Sequence, residues 1–374
     1  MNKSQHAICS ALLAKGPSTR REICAVSDLS WAAISQSASQ LLDMKLIAEG
    51  HNDDSPRKKG RPSSQLFLHA SLACAGVSIN RDGIDAELWF PSSGLRARSE
   101  RNYDVQEDPV PTAIESLRQL LAENPDANVV CLGISFPGLI DTDRKNVISS
   151  VHFHEFLERP IAMEFEEALG LDVPVFVERN AVCDMADIVV REGAREDMLL
   201  LSLHSGVSAA VLVDGQILYG NSGNIGELGH LNHPDSDIPC ACGRVGCMET
   251  LVGWLAWERG YKRLRREDKS LPSTFNEAVA LGAPEAVALL RESLHALFPL
   301  LGNLCVLLKP GKVMFATNLS SATATVFSTV VGRRLEKALS QHSPKVELLS
   351  EYSSVDGAAA LGALWLSGHP HYLI

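Results

Sequence analysis

Four potential metal ligands lie close together in one glycine-rich segment, and they constrain the folding of this chain more than any other sequence feature. His230 is followed after nine residues by Cys240, and Cys242 and Cys247 complete a set that spans 18 residues. Three thiolates and one imidazole suit tetrahedral Zn²⁺, and four protein ligands leave no position open for a substrate. The spacing therefore predicts a structural zinc site, with His233 as an alternative imidazole that the spacing does not exclude.

The other cysteines indicate a reducing compartment. Nine cysteines would suit disulfides in a secreted protein, but the segment MNKSQHAICSALLAKG at the start lacks the apolar core and the cleavage site of a signal peptide. No apolar run approaches the roughly 18 residues that span a bilayer. We therefore expect free thiols and a cytoplasmic location without a membrane span.

The charge of the chain is divided unevenly along its length. Residues 1–70 carry nine Lys and Arg against six Asp and Glu, a net charge of +3, whereas the whole chain has a net charge of −11. The other 304 residues therefore hold −14. A negative total argues against nucleic acid as a partner, but a basic N-terminal part on an acidic body leaves DNA binding open for that part alone.

Three short helical patterns precede residue 50. The first ends at Gly16, and the second starts with a capping box formed by Thr19 and Glu22. Ser30 can cap the third helix. The outward face of this third helix consists of Trp31, Ser35, Gln36 and Ser39. Two short helices with a tight link are typical of a helix-turn-helix, in which polar side chains of the second helix meet base edges in the major groove.

A basic loop follows between two predicted strands. The strands at 46–49 and 65–68 flank a polar loop at 51–62. The cations of this loop are Arg57, Lys58, Lys59 and Arg61. This order of elements predicts a winged helix whose wing tip neutralises phosphates and reaches into a narrow minor groove. Residues 1–70 are therefore predicted to form a DNA-binding domain.

The rest of the chain alternates strand and helix patterns twice. Buried strands are predicted at 72–79, 128–135, 173–178, 198–203, 207–213 and 312–316, with helices at 161–169, at 251–308 and after Ser320. Such alternation is typical of two α/β layers packed as lobes with a ligand cleft between them. We predict a first lobe at 71–195 and a second lobe at 196–374, which holds the zinc motif and whose C-terminal helix can pack back on the first lobe.

The segment around the cysteines resembles the signature of the ROK family, a group of bacterial sugar kinases and transcriptional repressors. The matching residues are GELGH at 226–230 and CACGRVGCME at 240–249. GISFPGLID at 133–141 and VERNA at 177–181 resemble two further family motifs, so the similarity extends over nearly the whole chain. The resemblance implies an α/β fold with an N-terminal winged helix-turn-helix followed by a two-lobed actin-like (ribonuclease H-like) body, which is the layout of the family's repressors.

The motifs that the family's kinases use for nucleotide are altered. Their first phosphate loop, D-x-G-G-T, lets backbone amides approach phosphate because glycine has no Cβ, whereas the matching stretch at 76–83 reads GVSINRDG. The second loop, G-T-G-x-G, reads HSGVS at 204–208, and a late Gly-Gly is replaced at 316–318. The kinase base is an Asp at the position of Asn180, and an amide cannot accept the proton of a sugar hydroxyl. We therefore predict no catalytic residue and no kinase activity.

The sugar-binding positions that the resemblance implies are partly retained. Glu227, His230 and Glu249 stand where family members contact sugar hydroxyls, and zinc would hold His230 in place. Arg179 and Asn180 replace an Asn-Asp pair; the amide can still bond a hydroxyl, and the guanidinium can pair with an anion. These five residues are the predicted site for a sugar or sugar-phosphate effector. The alternative is that both carboxylates only brace the zinc loop.

These features together predict a transcriptional regulator of carbohydrate-related genes, a repressor without enzymatic activity. Paired winged helices imply a homodimer on a two-fold operator of double-stranded DNA, and a tetramer is left open. One alternative is a divergent ROK sugar kinase with a DNA-binding head. Another is a repressor that responds to a protein partner instead of a small ligand.

Overall fold

The chain folds into a small N-terminal head and two α/β lobes. A computed structural model describes residues 1–50, 64–81, 83–104, 107–151, 153, 157–204, 206–234, 236–317, 325–329, 331, 344–349 and 354–369. The predicted wing cations Arg57, Lys58, Lys59 and Arg61 lie outside these residues. The predicted helix after Ser320 is described only at 325–329 and 331, and these residues are helical.

The head contains three helices and a three-stranded antiparallel sheet in the order β1-β3-β2. Its elements are α1 (Lys3–Lys15), β1 (Ser18–Thr19), α2 (Arg20–Ser27), α3 (Trp31–Asp43), β2 (Ile47–Gly50) and β3 (Gln65–Leu68). Ser30 caps α3 by accepting a hydrogen bond from the backbone N–H of Ala33 at 3.2 Å. Ile34 and Leu41, one face of α3, are fully buried, as the apolar spacing requires.

Thr19 begins α2 with a complete capping box. Its Oγ1 accepts from the backbone N–H of Glu22 at 3.2 Å, and its own backbone N–H donates to Glu22 Oε2 at 2.7 Å. Both bonds satisfy donors that a helix start leaves unpaired. The hydrogen bond from the Thr19 backbone also lowers the pKa of Glu22.

Replacing Thr19 with Ala should weaken the start of α2, because one orphan N–H loses its acceptor. We expect the free energy of local opening to fall by about 1 kcal/mol, so that amides of α2 exchange roughly fivefold faster. Native-state hydrogen exchange of the full chain measures this directly. Thr19→Ser keeps the hydroxyl and should exchange like the natural protein; equal acceleration in both variants would contradict the capping role.

Both lobes are built on a five-stranded mixed sheet. The first lobe contains β4 (Leu72–Asn80), β5 (Gly83–Phe90), β6 (Leu95–Arg101), α4 (Pro109–Glu123), β7 (Asn128–Phe136), β8 (Leu139–Ile140), β9 (Val147–Ser149), α5 (Ile161–Leu169), β10 (Val175–Arg179) and α6 (Asn180–Glu192). The second contains β11 (Met198–Leu203), β12 (Ser208–Val213), β13 (Gln216–Ile217), α7 (Trp254–Glu267), α8 (Phe275–Ala280), α9 (Pro284–Leu308), β14 (Lys312–Thr317) and β15 (Lys345–Leu349). The C-terminal helix covers Ser354–Leu366.

The two sheets share one topology. Their strand orders are β10-β7-β4-β5-β6 and, read in the same direction, β15-β14-β11-β12-β13. In each, three strands are parallel and the last two continue as antiparallel hairpins. Two equivalent lobes of this kind leave a cleft at the carboxyl ends of the parallel strands, where ligands of α/β proteins bind.

Two helices fill the space between the sheets. α6 is buried from Asn180 to Ile188, and the C-terminal helix packs on α6 and on β4 and β7 of the first lobe. A Cβ at Gly357 would lie 2.0 Å from the carbonyl oxygen of Cys183, so only glycine permits this close approach. The C-terminal helix therefore returns to the first lobe, although it follows the second lobe in sequence.

The head shares a hydrophobic core with the body. Ile8 and Leu12 of α1 belong to the same buried cluster as the α6 and C-terminal helix residues. His6 Nδ1 lies 3.2 Å from the carbonyl oxygen of Leu366, and its ring meets Trp365 edge-on. Only three residues separate β3 of the head from β4 of the first lobe. The head is thus packed against the body and not merely linked to it.

Within the described ranges, no helix combines the length and the apolar character that crossing a bilayer demands.

Candidate functional site

A cavity of about 620 Å³ lies between the lobes. The first lobe contributes the turn after β7 and the start of α6, and the second contributes the end of β11, the start of β12 and the cysteine-rich segment. All five residues of the predicted ligand site line it: Arg179, Asn180, Glu227, His230 and Glu249. The folding of the chain therefore brings together residues that are up to 70 positions apart in sequence.

Two glycines dock the GELGH segment onto the edge of β12. Gly226 has a φ of +100°, and a Cβ there would lie 2.1 Å from the carbonyl oxygen of Ala209. Gly229 donates its backbone N–H to Val207 O at 2.7 Å, where a Cβ would lie 2.5 Å from the same oxygen. These contacts require glycine, and they fix the direction in which Glu227 and His230 leave the backbone.

The predicted metal ligands converge on one point. The ligand atoms of His230, Cys240, Cys242 and Cys247 all lie within 4.8 Å of one another. Cys242 Sγ is 3.6 Å from Cys247 Sγ, and Cys240 Sγ is 3.8 Å from His230 Nδ1. In a tetrahedral zinc site with Zn–S bonds of about 2.3 Å, neighbouring sulfurs are about 3.8 Å apart. The donor set and its spacing therefore fit a tetrahedral metal.

The imidazole in this cluster belongs to His230. Among the described residues that could hold a metal, His233 is not a member of the group. The backbone N–H of His233 instead donates to Gly246 O at 2.7 Å, which helps to close the cysteine loop.

The three thiols of the cluster have unequal proton affinities. Burial and a hydrogen bond to Glu249 raise the pKa of Cys240 well above its usual value, and burial raises the pKa of Cys247. Burial acts in the same sense on Cys242, but hydrogen bonds from Arg244 and from the neighbouring thiols outweigh it and lower the pKa to about 6. A metal ion would displace the thiol protons of these cysteines, because the thiolate is the form that binds metals.

His230 connects this cluster with the cavity. Its Nδ1 faces Cys240, and its Nε2 lies 3.9 Å from Glu227 Oε2 on the cavity side. Glu249 Oε1 is 3.5 Å from His230 Nδ1 and accepts from Cys240 Sγ at 2.8 Å. A metal bound at Nδ1 would fix the imidazole ring and so orient its second nitrogen in the cleft.

Arg179 does not point freely into the cavity. Its side chain is only 4% exposed, and its Nη1 lies 3.2 Å from Glu227 Oε1. Its Nη2 donates to the backbone carbonyl of Ile225. The residue that the sequence suggests for pairing with an anionic ligand is thus already paired with a carboxylate of the same site.

Asn180, at the position of the kinase base, is also occupied by internal contacts. Its Oδ1 accepts from Ser135 Oγ at 3.2 Å, and its Nδ2 donates to Asn80 Oδ1 at 2.6 Å. Both ends of the amide are used inside the first lobe, so this side chain stabilises the junction of β7, β4 and α6.

One polar pair in the cavity wall was not predicted from the sequence. His204, directly after β11, lines the cavity, and its Nε2 lies 3.8 Å from Oδ2 of the fully buried Asp184 on α6. Ser354 Oγ donates to Asp184 Oδ1 at 3.1 Å. The only signal was a histidine in place of glycine in the altered phosphate loop, and the partner residues are too distant in sequence to be found by spacing.

The predicted DNA-contacting face of α3 is largely accessible. Trp31 is 58% exposed, Gln36 and Ser39 are exposed, and Ser35 is half-buried. Ser39 Oγ donates to the backbone carbonyl of Ser35 at 3.1 Å. Gln36 and Trp31 therefore offer the larger free surface on this helix.

Known proteins resemble the chain over most of its length. The ROK family profile matches residues 75–369. The DNA-binding transcriptional dual regulator NagC of Escherichia coli K12 is 25% identical over 379 residues, which cover 92% of this chain and 88% of that protein.

Solved structures share the fold. A ROK family transcriptional regulator described as a homologue of the E. coli MLC protein has a TM-score of 0.78 at 21% identity, over 98% of this chain and 96% of that chain. A ROK family glucokinase from Streptomyces griseus, in complex with glucose and AMPPNP, has a TM-score of 0.63 at 19% identity, over 77% of this chain and 98% of that chain. The first similarity includes the head as well as both lobes.

The predicted α/β fold, a winged helix-turn-helix ahead of a two-lobed actin-like body, is thereby confirmed. The family profile extends from β4 to residue 369 and includes both lobes together with the cysteine-rich segment. On this match the chain belongs to the ROK family.

Proposed function

We propose that this protein is a DNA-binding transcriptional regulator that represses carbohydrate-related genes and has no kinase activity. The observation that carries the proposal is a head of three helices and a small antiparallel sheet, with an exposed α3 face, packed directly onto a ROK body. Similarity to NagC, a DNA-binding regulator by name, covers 92% of the chain and supports the same reading. Residues 1–70 read the operator in this proposal, and residues 71–195 and 196–374 form the sensing lobes in the cytoplasm.

DNA recognition is divided between two surfaces of the head. Side chains of α3 read base edges in the major groove: Trp31, Ser35, Gln36 and Ser39. Cations of the wing contact phosphates: Arg57, Lys58, Lys59 and Arg61. A homodimer places two heads on a two-fold operator with half-sites about one helical turn, roughly 10 base pairs, apart.

The metal in this proposal is a structural Zn²⁺ bound by His230, Cys240, Cys242 and Cys247. It would hold the cysteine loop closed and keep His230 oriented toward the cleft. The effector is a sugar or sugar-phosphate whose hydroxyls meet Glu227, Glu249 and the second nitrogen of His230. Carboxylates that each accept hydroxyl protons suit a polyol, and the cavity is large enough for a monosaccharide.

Mapping of bound DNA in cells tests the regulatory role. The full-length chain should enrich a small set of sites with two-fold symmetry, near genes of carbohydrate metabolism. A matched chain with Ala at all four wing cations should lose this enrichment, because phosphate contacts supply much of the affinity. Equal enrichment by both chains, or none by either, would count against the proposal.

The absence of kinase activity is a separate prediction. We expect no sugar-dependent ADP formation from ATP with a panel of neutral sugars, because Asn180 cannot act as a base. Asn180→Asp should remain inactive too, since the phosphate-binding glycines are missing as well. A coupled ADP assay, with a ROK glucokinase as positive control, measures both; turnover by either form would favour a divergent kinase.

A further inference from the structure

Arg179 bridges the two lobes at the point where a sugar would bind. It is the last residue of β10 in the first lobe, and both of its polar contacts, Glu227 and the carbonyl of Ile225, belong to the second lobe. The Arg179 side chain is 4% exposed, whereas the Glu227 side chain is 37% exposed. The arginine is therefore the fixed partner, and the carboxylate is held against it across the cleft.

Two further residue pairs join the same stretch of the second lobe to the first. Asn224 Nδ2 donates to Ile140 O at 2.7 Å, and Ile140 N–H donates to Asn224 Oδ1 at 2.9 Å. The guanidinium of Arg144 lies 4.6 Å from the ring centre of Tyr219. We call these contacts the interlobe seam, which consists of Ile140, Arg144 and Arg179 on the first lobe and Tyr219, Asn224, Ile225 and Glu227 on the second.

The seam uses the carboxylate on which the proposed sugar site depends. A neutral sugar that took the place of Arg179 at Glu227 Oε1 would leave a buried guanidinium without its counter-ion. A neutral hydroxyl cannot replace the lost charge, so the exchange is unfavourable. Arginine also holds its two partners at once, because its planar fork offers parallel donors.

We propose that Arg179 is a built-in latch that fills the sugar-binding position at Glu227, keeps the lobes closed without a ligand and excludes neutral sugars from the cleft. This inference rests on the proposed sugar-binding function of Glu227, but it concerns the residue that decides access to that site. Asn is the residue that the family motif carries at this position, so Arg179→Asn is a substitution that this fold accommodates.

Two measurements on the full-length protein test the latch. Hydrogen exchange of the 219–231 peptide reports on the seam, and calorimetry with N-acetyl-D-glucosamine and D-glucose reports on the site. Arg179→Asn should speed exchange at least tenfold and bind one of these sugars at least tenfold more tightly than the natural protein. Arg179→Lys, which keeps the charge but loses the fork, should fall between the two.

Arg159→Asn is the matched control, since this first-lobe arginine pairs with Asp108 and Glu164 away from the seam. It should change neither the exchange of the peptide nor sugar binding. Unchanged exchange in Arg179→Asn, or equally tight sugar binding by the natural protein, would overturn the latch. Faster exchange without sugar binding by any variant would support Arg179 as the contact that keeps the lobes closed, but it would count against the exclusion of sugars and against the proposed sugar sensor.

Discussion

Replacing Cys242 with Ser should remove the metal and abolish repression. Serine is a poor zinc ligand, and the remaining three ligands cannot complete the tetrahedron. Metal binding at structural zinc sites contributes on the order of 10–16 kcal/mol to folding in small peptides at neutral pH. The cysteine loop has little apolar burial of its own, since Val245 at its tip is 57% exposed. We therefore expect the loop to unfold locally when the metal is lost.

The effect should spread from the loop to the cleft. Glu249 and His230 depend on the cluster for their positions, because each contacts Cys240. Metal analysis should show a fall from about one zinc per chain to less than about a tenth, with faster hydrogen exchange across residues 228–250 and loss of operator repression in a reporter strain. His230→Ala should behave similarly, and His233→Ala should retain its zinc.

Cys305→Ser is the matched control for the cysteine substitution. Cys305 is buried on α9 in the same lobe, and burial raises its pKa to about 11, so it remains a protonated thiol outside the cluster. This variant should keep both zinc and repression. Normal repression by a zinc-free Cys242→Ser protein would contradict the structural role of the metal.

Local sequence was enough to predict the cluster of potential metal ligands and the helix caps. His230 and the three cysteines lie within one short segment, so spacing alone limits how far apart their side chains can be. The caps at Thr19 and Ser30 act over three residues, again within the reach of a pattern. The apolar runs that form β11 and β14 are buried on both faces, and such runs can be recognised as strands from the sequence alone.

Elements that are polar on their inner face could not be predicted in this way. β6 reads LRARSER and has no apolar alternation, because the half-buried Arg96 and the exposed Arg98 pair with the buried carboxylates of Glu87 and Asp356. Asp356 comes from the C-terminal helix, about 260 residues further along the chain. A strand that pairs charge with charge over such a distance has no periodicity to reveal it.

The contacts between residues of the ligand site could not be predicted from the sequence for a related reason. All five candidate residues could be named from family motifs, and the cavity unites them. The pairing of Arg179 with Glu227 could not be predicted, because the residues are 48 positions apart and belong to different lobes. The same holds for His204 and Asp184. Residue identity indicates what a site can bind, but lobe packing decides which groups are free to bind it.

Replacing Gln36 with Ala should remove sequence-specific DNA binding with little change in non-specific binding. A glutamine that reads a base edge in the major groove discriminates by about 1–3 kcal/mol. In a homodimer both half-sites lose this contact, so specific affinity should fall by roughly 30-fold to more than 10,000-fold. The side chain carries no charge, and the slope of affinity against salt concentration should stay the same.

Substitution of a wing cation should have the opposite effect on DNA affinity. The comparison therefore separates residues that read bases from residues that contact phosphates. Lys58→Ala should weaken binding to specific and random duplexes alike and reduce the salt slope by about one for each site. Gln119→Ala, an exposed glutamine on α4 of the first lobe, is the matched control and should leave both affinities unchanged. Fluorescence anisotropy on operator and scrambled duplexes at several salt concentrations measures all three variants. If Gln36→Ala weakened binding to both duplexes equally, α3 would be a phosphate-contacting helix, and specificity would have to reside elsewhere in the head.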